Sequence, residues 1–183
     1  GDVISAAQGR IIQQESIDMP LFLAATEADS VINLDYLITQ FRERFTNPGN
    51  AMVIFRDTRT PWPNAQADER IRFLNSYLPD ANILEFSHQS LLIAPNNELY
   101  GLGAPLQRCL EPNNISLEGC RQLPEEDLWF SAWHDTERPV YTSRLTYNPW
   151  FDDLAEAVGT FIQANESGEA PCATAGIGLH CHS

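Results

Sequence analysis

Met19-Pro20-Leu21-Phe22-Leu23-Ala24-Ala25-Thr26-Glu27-Ala28-Asp29-Ser30-Val31 opens with an apolar run of strand length and ends in an acidic, polar turn. Pro20 stands at the start of the run, where a strand tolerates the missing N–H. Downstream, Asn33 is placed to cap a helix whose apolar face is Leu34, Leu37, Ile38, Phe41 and Phe45, at i, i+3, i+4, i+7 and i+11. Asn47-Pro48-Gly49-Asn50 ends that helix. Ala51 to Phe55, A-M-V-I-F, then reads as a buried strand. The order strand, helix, strand predicts parallel pairing through a right-handed crossover, with Asp29 in the first turn of the unit.

A second unit is expected to follow. Thr58 to Ala67, around Pro61-Trp62-Pro63, is a loop, and Ile71, Leu74, Tyr77 and Leu78 share one face of a helix predicted over Asp68 to Tyr77, with Pro79 closing it. Asn82 to Phe86 alternates as a strand and runs into Ser87-His88-Gln89-Ser90, which places His88 just past a strand's carboxyl end. Leu91 to Ala94 is a further apolar run, stopped by Pro95-Asn96-Asn97. Two crossovers in succession predict an α/β fold, a layered parallel sheet with flanking helices.

Residues 101–140 read as a turn-rich, irregular excursion packed over the sheet, carrying two cysteines and the aromatics Trp129, Phe130 and Trp133. After Asn148-Pro149, a final helix presents Leu154, Ala155, Val158, Phe161 and Ile162 as one stripe up to Gln163, with Asp152 and Asp153 favourably placed in its first turn. One domain over 1–164 and a loosely held tail over 165–183 are expected. Val3 to Ile12 is too weakly patterned to assign beyond the end of a helix.

The chain has 183 residues and a formal net charge of −14, and all eleven of its basic residues are arginine. One domain of this length buries a substantial core. The charge argues against nucleic acid and anionic membrane surfaces as partners, because phosphate recognition needs clustered cations. No apolar run approaches the eighteen residues that a transmembrane helix requires. Cys109 and Cys120 lie eleven residues apart and Cys172 and Cys181 nine, spacings that suit two local disulfides and hence an exported protein. Four cysteines allow three connectivities, of which this one is preferred. A zinc site from Cys172, His180, Cys181 and His182 lacks the usual paired spacing, so neither a metal nor a cofactor is expected.

A histidine following a strand is more often a hydrogen-bonded structural residue than a catalytic one. What sets His88 apart is Asp29, an acid delivered in the same way from an earlier strand. Acid and histidine, in that order, are two thirds of a hydrolytic triad, in which the carboxylate orients the imidazole through Nδ1 and leaves Nε2 to activate a nucleophile. The strings Ser87-His88-Gln89-Ser90, Pro95-Asn96-Asn97-Glu98-Leu99-Tyr100-Gly101 and Leu145-Thr146-Tyr147-Asn148-Pro149-Trp150-Phe151 carry the resemblance further. Over residues 15–163 the chain resembles the C-terminal half of exported, often lipid-anchored bacterial proteins of the α/β-hydrolase fold. That resemblance implies Asp29 and His88 as catalytic residues and a small-molecule or peptide substrate with an ester or peptide-like bond.

The departure from the family's pattern is the nucleophile: no serine of this chain sits in Gly-x-Ser-x-Gly, and the oxyanion loop is missing. The reading is therefore of the C-terminal part of a serine hydrolase, inactive alone, whose N-terminal half supplies the serine. A periplasmic or outer-membrane-associated location accompanies it. The alternative is a disulfide-stapled extracellular binding domain in which His88 is structural. The two differ in whether the Asp29 carboxylate lies within reach of His88 Nδ1.

Overall fold

Buried apolar residues that alternate between two faces of a short parallel sheet organise the fold. The structure, a computed structural model, describes residues 16–62, 68–132 and 140–167. Strand β1 (Phe22–Thr26) pairs in parallel with β2 (Ala51–Arg56), which pairs in parallel with β3 (Ile71–Asn75). The order is β1-β2-β3, with Ala24 opposite Val53 and Ile54 opposite Phe73. Every residue of the central strand is buried, as expected for a parallel strand covered on both faces.

Helix α1 (Leu34–Arg44) forms the expected crossover from β1 to β2. Asn33 caps it, its side chain accepting the Tyr36 N–H at 2.9 Å. Leu34, Ile38 and Phe41 pack on Met52, Ile54 and Ile71, whereas Val53 and Phe55 on the opposite face pack with Phe86, Leu91, Leu145 and Leu154. Leu154 belongs to α3 (Phe151–Ser167), so helices lie on both faces of the sheet.

The second crossover differs from expectation. Residues 71–75, read above as helix, form β3. Alternation decides the matter: Ile71 joins the cluster under α1, while Leu74 packs against the opposite cluster. A five-residue segment feeding both faces is a strand, even where its apolar residues also fit a helical spacing. The connection from β2 to β3 contains no helix among the described residues.

Asn82 to Phe86 corrects a second expectation. Only Ile83 makes bridges, antiparallel to Leu78 and parallel to Phe130, and the chain then continues without regular structure to a 3₁₀ turn at His88–Ser90. Phe130 belongs to β4 (Leu128–Ser131), which pairs in parallel with β5 (Tyr141–Arg144). Leu84 N–H donates to the Phe130 carbonyl at 2.8 Å and Phe130 N–H to that of Asn82 at 2.7 Å, so Ile83 links β4 to the turn that follows β3. The segment 101–132 is thus less irregular than its composition indicates: it contains β4 and a short helix α2 (Leu117–Gln122).

Cys109 and Cys120 form a disulfide, with Cα atoms 5.8 Å apart, that ties the loop before α2 to the helix itself. Helix α3 continues beyond Gln163 to Ser167, and its buried stripe is Leu154, Ala157 and Phe161; Ala155 and Ile162 point outward. No described helix is long and apolar enough to cross a membrane. Residues 168–183, with Cys172, His180, Cys181 and His182, lie outside the described residues. So do Val3 to Ile12 and Trp133.

Candidate functional site

Asp29 is positioned by the turn that ends β1. Glu27 N–H still donates to the Phe55 carbonyl at 2.8 Å, after which the chain leaves the sheet. The Asp29 carboxylate then closes its own turn: Oδ1 accepts the Val31 N–H at 2.8 Å and, at a longer 3.4 Å, that of Ile32. This arrangement orients the side chain and commits one oxygen. The other, Oδ2, lies 2.7 Å from His88 Nδ1.

His88 arrives by a different route from the one expected. The residues before it are not a strand, and its place is set by anchors on either side. Phe86 is fully buried, its ring centroid 5.2 Å from that of Phe55 on β2. After the histidine, the Ser90 hydroxyl donates to the Leu145 carbonyl at 2.6 Å, and Asn148 Nδ2 donates to the Leu91 carbonyl at 3.1 Å. Asn148 N–H reaches the Ile93 carbonyl at 2.8 Å. Four bonded or packed positions thus bracket one imidazole. Farther along, Leu102 N–H donates to the Pro95 carbonyl at 2.7 Å. Gly101 is required there, because a Cβ would run into the Pro95 and Asn97 backbones.

The pair is asymmetric in its exposure. The Asp29 side chain is 2% exposed and the His88 side chain 40%, while Nδ1 itself is buried. The accessible part of the ring therefore lies away from the carboxylate. The approach of Nδ1 to Oδ2 is oblique: the two atoms are in contact, but neither meets the angular requirement of a hydrogen bond. A small cavity of about 50 Å³ lies against the pair, lined by Ala28, Ser30, Val31, Ser87 and Gln89.

Chemically, the arrangement holds an imidazole by one nitrogen with a buried carboxylate and leaves the rest of the ring accessible, which suits proton transfer to or from a group placed on its open side. Among the described residues, no group of three or more His, Cys, Asp or Glu side chains could hold a metal ion. His134, next to Asp135, lies outside the described residues.

Sequence reasoning missed the residues that hold the histidine. Ser90 and Asn148 are buried polar side chains in segments fifty-odd residues apart, and neither spacing nor composition marks them as partners. Asn148 had a signal of another kind, since Asn-Pro before an apolar helix reads as a helix start; its Oδ1 does accept the Trp150 N–H at 2.9 Å. No family model, curated protein or solved structure matches the chain.

Proposed function

We propose that this chain is the C-terminal part of a serine hydrolase of α/β-hydrolase type. Asp29 orients and His88 acts as general acid and base toward a serine carried by polypeptide upstream of Gly1. The observation that carries the reading is the contact at 2.7 Å between a buried carboxylate and the Nδ1 of a partly exposed imidazole, contributed by segments far apart in sequence. In such a pair the carboxylate fixes the ring and stabilises the imidazolium as the serine proton is taken up, and the same proton is later returned to the leaving group. The parallel sheet supports the reading too, because Asp29 lies beyond the carboxyl end of β1, the rim where open α/β sheets place their chemistry.

The bond attacked in this reading is an ester or a peptide-like amide, since acyl transfer is the chemistry that a serine, histidine and acid perform together. Export accompanies it. The Cys109–Cys120 disulfide belongs to an oxidising compartment such as the periplasm or cell surface.

The test is kinetic and uses the longer parent polypeptide, assayed on p-nitrophenyl esters. His88→Ala is expected to lower kcat by on the order of a thousandfold or more. Turnover unchanged in that variant removes the enzymatic reading and leaves the binding domain.

A further inference from the structure

His88 borders a second, larger space. A groove of about 540 Å³ runs from the imidazole between β1 and α3, a size typical of small-molecule sites. Its walls are Phe22 and Ala24 of β1, Phe151, Ala155 and Val158 of α3, and Leu92 beside the histidine. Leu92 is 85% exposed and Ala155 is also exposed, so an apolar surface meets solvent next to the candidate base. Among the described residues, His88 is the groove's one titratable lining residue.

Charge and length narrow the occupant. In a chain of net charge −14, a wall without any arginine among the described residues offers nothing to a carboxylate or phosphate, so the ligand's buried part is neutral. From Phe151 to Val158 the helical wall spans roughly 10 Å at 1.5 Å per residue, about the length of an eight-carbon chain. His88 lines the same space as that wall, so a ligand lying along the helix shares the groove with the imidazole. Resting on the hydrolase reading, we infer that the groove seats the acyl chain of a neutral, medium-chain ester, with the ester carbonyl at the His88 end.

The chain as it stands, lacking a nucleophile, is suited to a binding test with intact esters. Titration with methyl octanoate, followed by NMR, is expected to be saturable and to shift resonances of His88, Phe151 and Val158. Methyl butanoate, four methylenes shorter, is expected to bind more than tenfold more weakly, given about 0.8 kcal/mol per buried methylene. The octanoate anion is likewise expected to bind more than tenfold more weakly than the ester. Ala155→Trp, a change at an exposed position, fills the groove and is expected to abolish binding with an unchanged far-UV spectrum; Leu92→Asp provides a second block at the mouth.

Affinity independent of chain length, or full binding in both Ala155→Trp and Leu92→Asp, overturns the inference. So does concentration-dependent self-association that Ala155→Trp removes, which assigns the face to polypeptide. The two readings fail separately. Loss of parent activity in His88→Ala without ester binding in the groove removes only the acyl site, and ester binding with undiminished turnover in His88→Ala removes only the catalytic role.

Discussion

Asn148 holds the loop that carries His88: its side-chain N–H donates to the Leu91 carbonyl, its backbone N–H to that of Ile93, and it is wholly buried. The same residue starts α3 by accepting the Trp150 N–H, while the Trp150 indole donates to the Asn75 carbonyl at the end of β3 at 2.9 Å. Helix and histidine loop thus meet at one amide, and Trp150 links them to the sheet. Asn148→Ala leaves the Leu91 carbonyl and the Trp150 N–H without partners and is expected to cost about 2–3 kcal/mol. Urea unfolding measures the loss, and faster amide exchange over residues 88–93 than over β2 would locate it. A midpoint equal to that of the parent chain refutes this account of the loop.

Asp29 and His88, if they act as a unit, have non-additive effects. On the proposed hydrolase reading, Asp29→Asn in the longer polypeptide is expected to lower kcat by on the order of a hundredfold or more, and Asp29→Asn combined with His88→Ala to be scarcely worse than His88→Ala alone. A double variant whose loss equals the product of the single losses shows that the two residues act independently. That outcome leaves Asp29 with only its structural role in the turn, where Oδ1 accepts the Val31 N–H.

Asp68 carries the pH dependence that the fold predicts most directly. Partial burial by itself would raise its carboxyl, but hydrogen bonds from the Arg70 side chain and backbone, with the charges of Arg70 and Arg42, outweigh that and hold it below the ordinary value of 3.8. Arg70 also donates to the Phe45 carbonyl at 2.6 Å, so the pair ties the entry of β3 to the end of α1. A carboxyl lowered in the folded state adds stability above its unfolded value and loses it as pH falls through that value toward the folded one. Asp68→Asn should therefore lower stability by about 1–2 kcal/mol at pH 6, and the gap should shrink below about pH 4. Urea midpoints at both pH values decide it; a gap that widens in acid contradicts the assignment.

The disulfide between Cys109 and Cys120 closes a loop of eleven residues' separation next to a small cluster with Leu128. Cross-linking a loop of that size removes conformational entropy from the unfolded chain worth about 2–3 kcal/mol. Thermal unfolding of Cys109→Ser combined with Cys120→Ser, compared with the unsubstituted chain without reductant so that Cys172 and Cys181 are the same in both, should be lowered accordingly. Identical melting curves would show that the bond contributes nothing to stability.

Residues 71–75 and 82–86 show where reading the chain stops working. Ile71, Leu74, Tyr77 and Leu78 fit a helical face, yet only the sheet's two clusters reveal that Ile71 and Leu74 serve opposite sides. Asn82 to Phe86 has strand alternation, but its hydrogen-bonding partner is Phe130, placed there by a strand pair that the composition of 101–140 concealed. The first unit was legible because its signals are local. A capping asparagine, a 3.6-residue periodicity and a Pro-Gly break act within one or two turns of chain and need no partner.

From sequence alone came the strand, helix, strand of residues 22–56, a preference among three connectivities for pairing Cys109 with Cys120, and Asp29 and His88 as the two groups to watch, the latter by way of a strand over 82–86 that the structure does not have. Local periodicity determines the strand, helix, strand unit and short loop closure favours the pairing, since the interacting residues are near one another along the chain. The meeting of Asp29 Oδ2 with His88 Nδ1, the burial of one and exposure of the other, and the clamps from Ser90 and Asn148 were decided only by the tertiary structure. Those contacts join segments separated by tens of residues, and it is the packing of Phe86 against Phe55 and of Leu154 on the same sheet face that brings them within hydrogen-bonding distance.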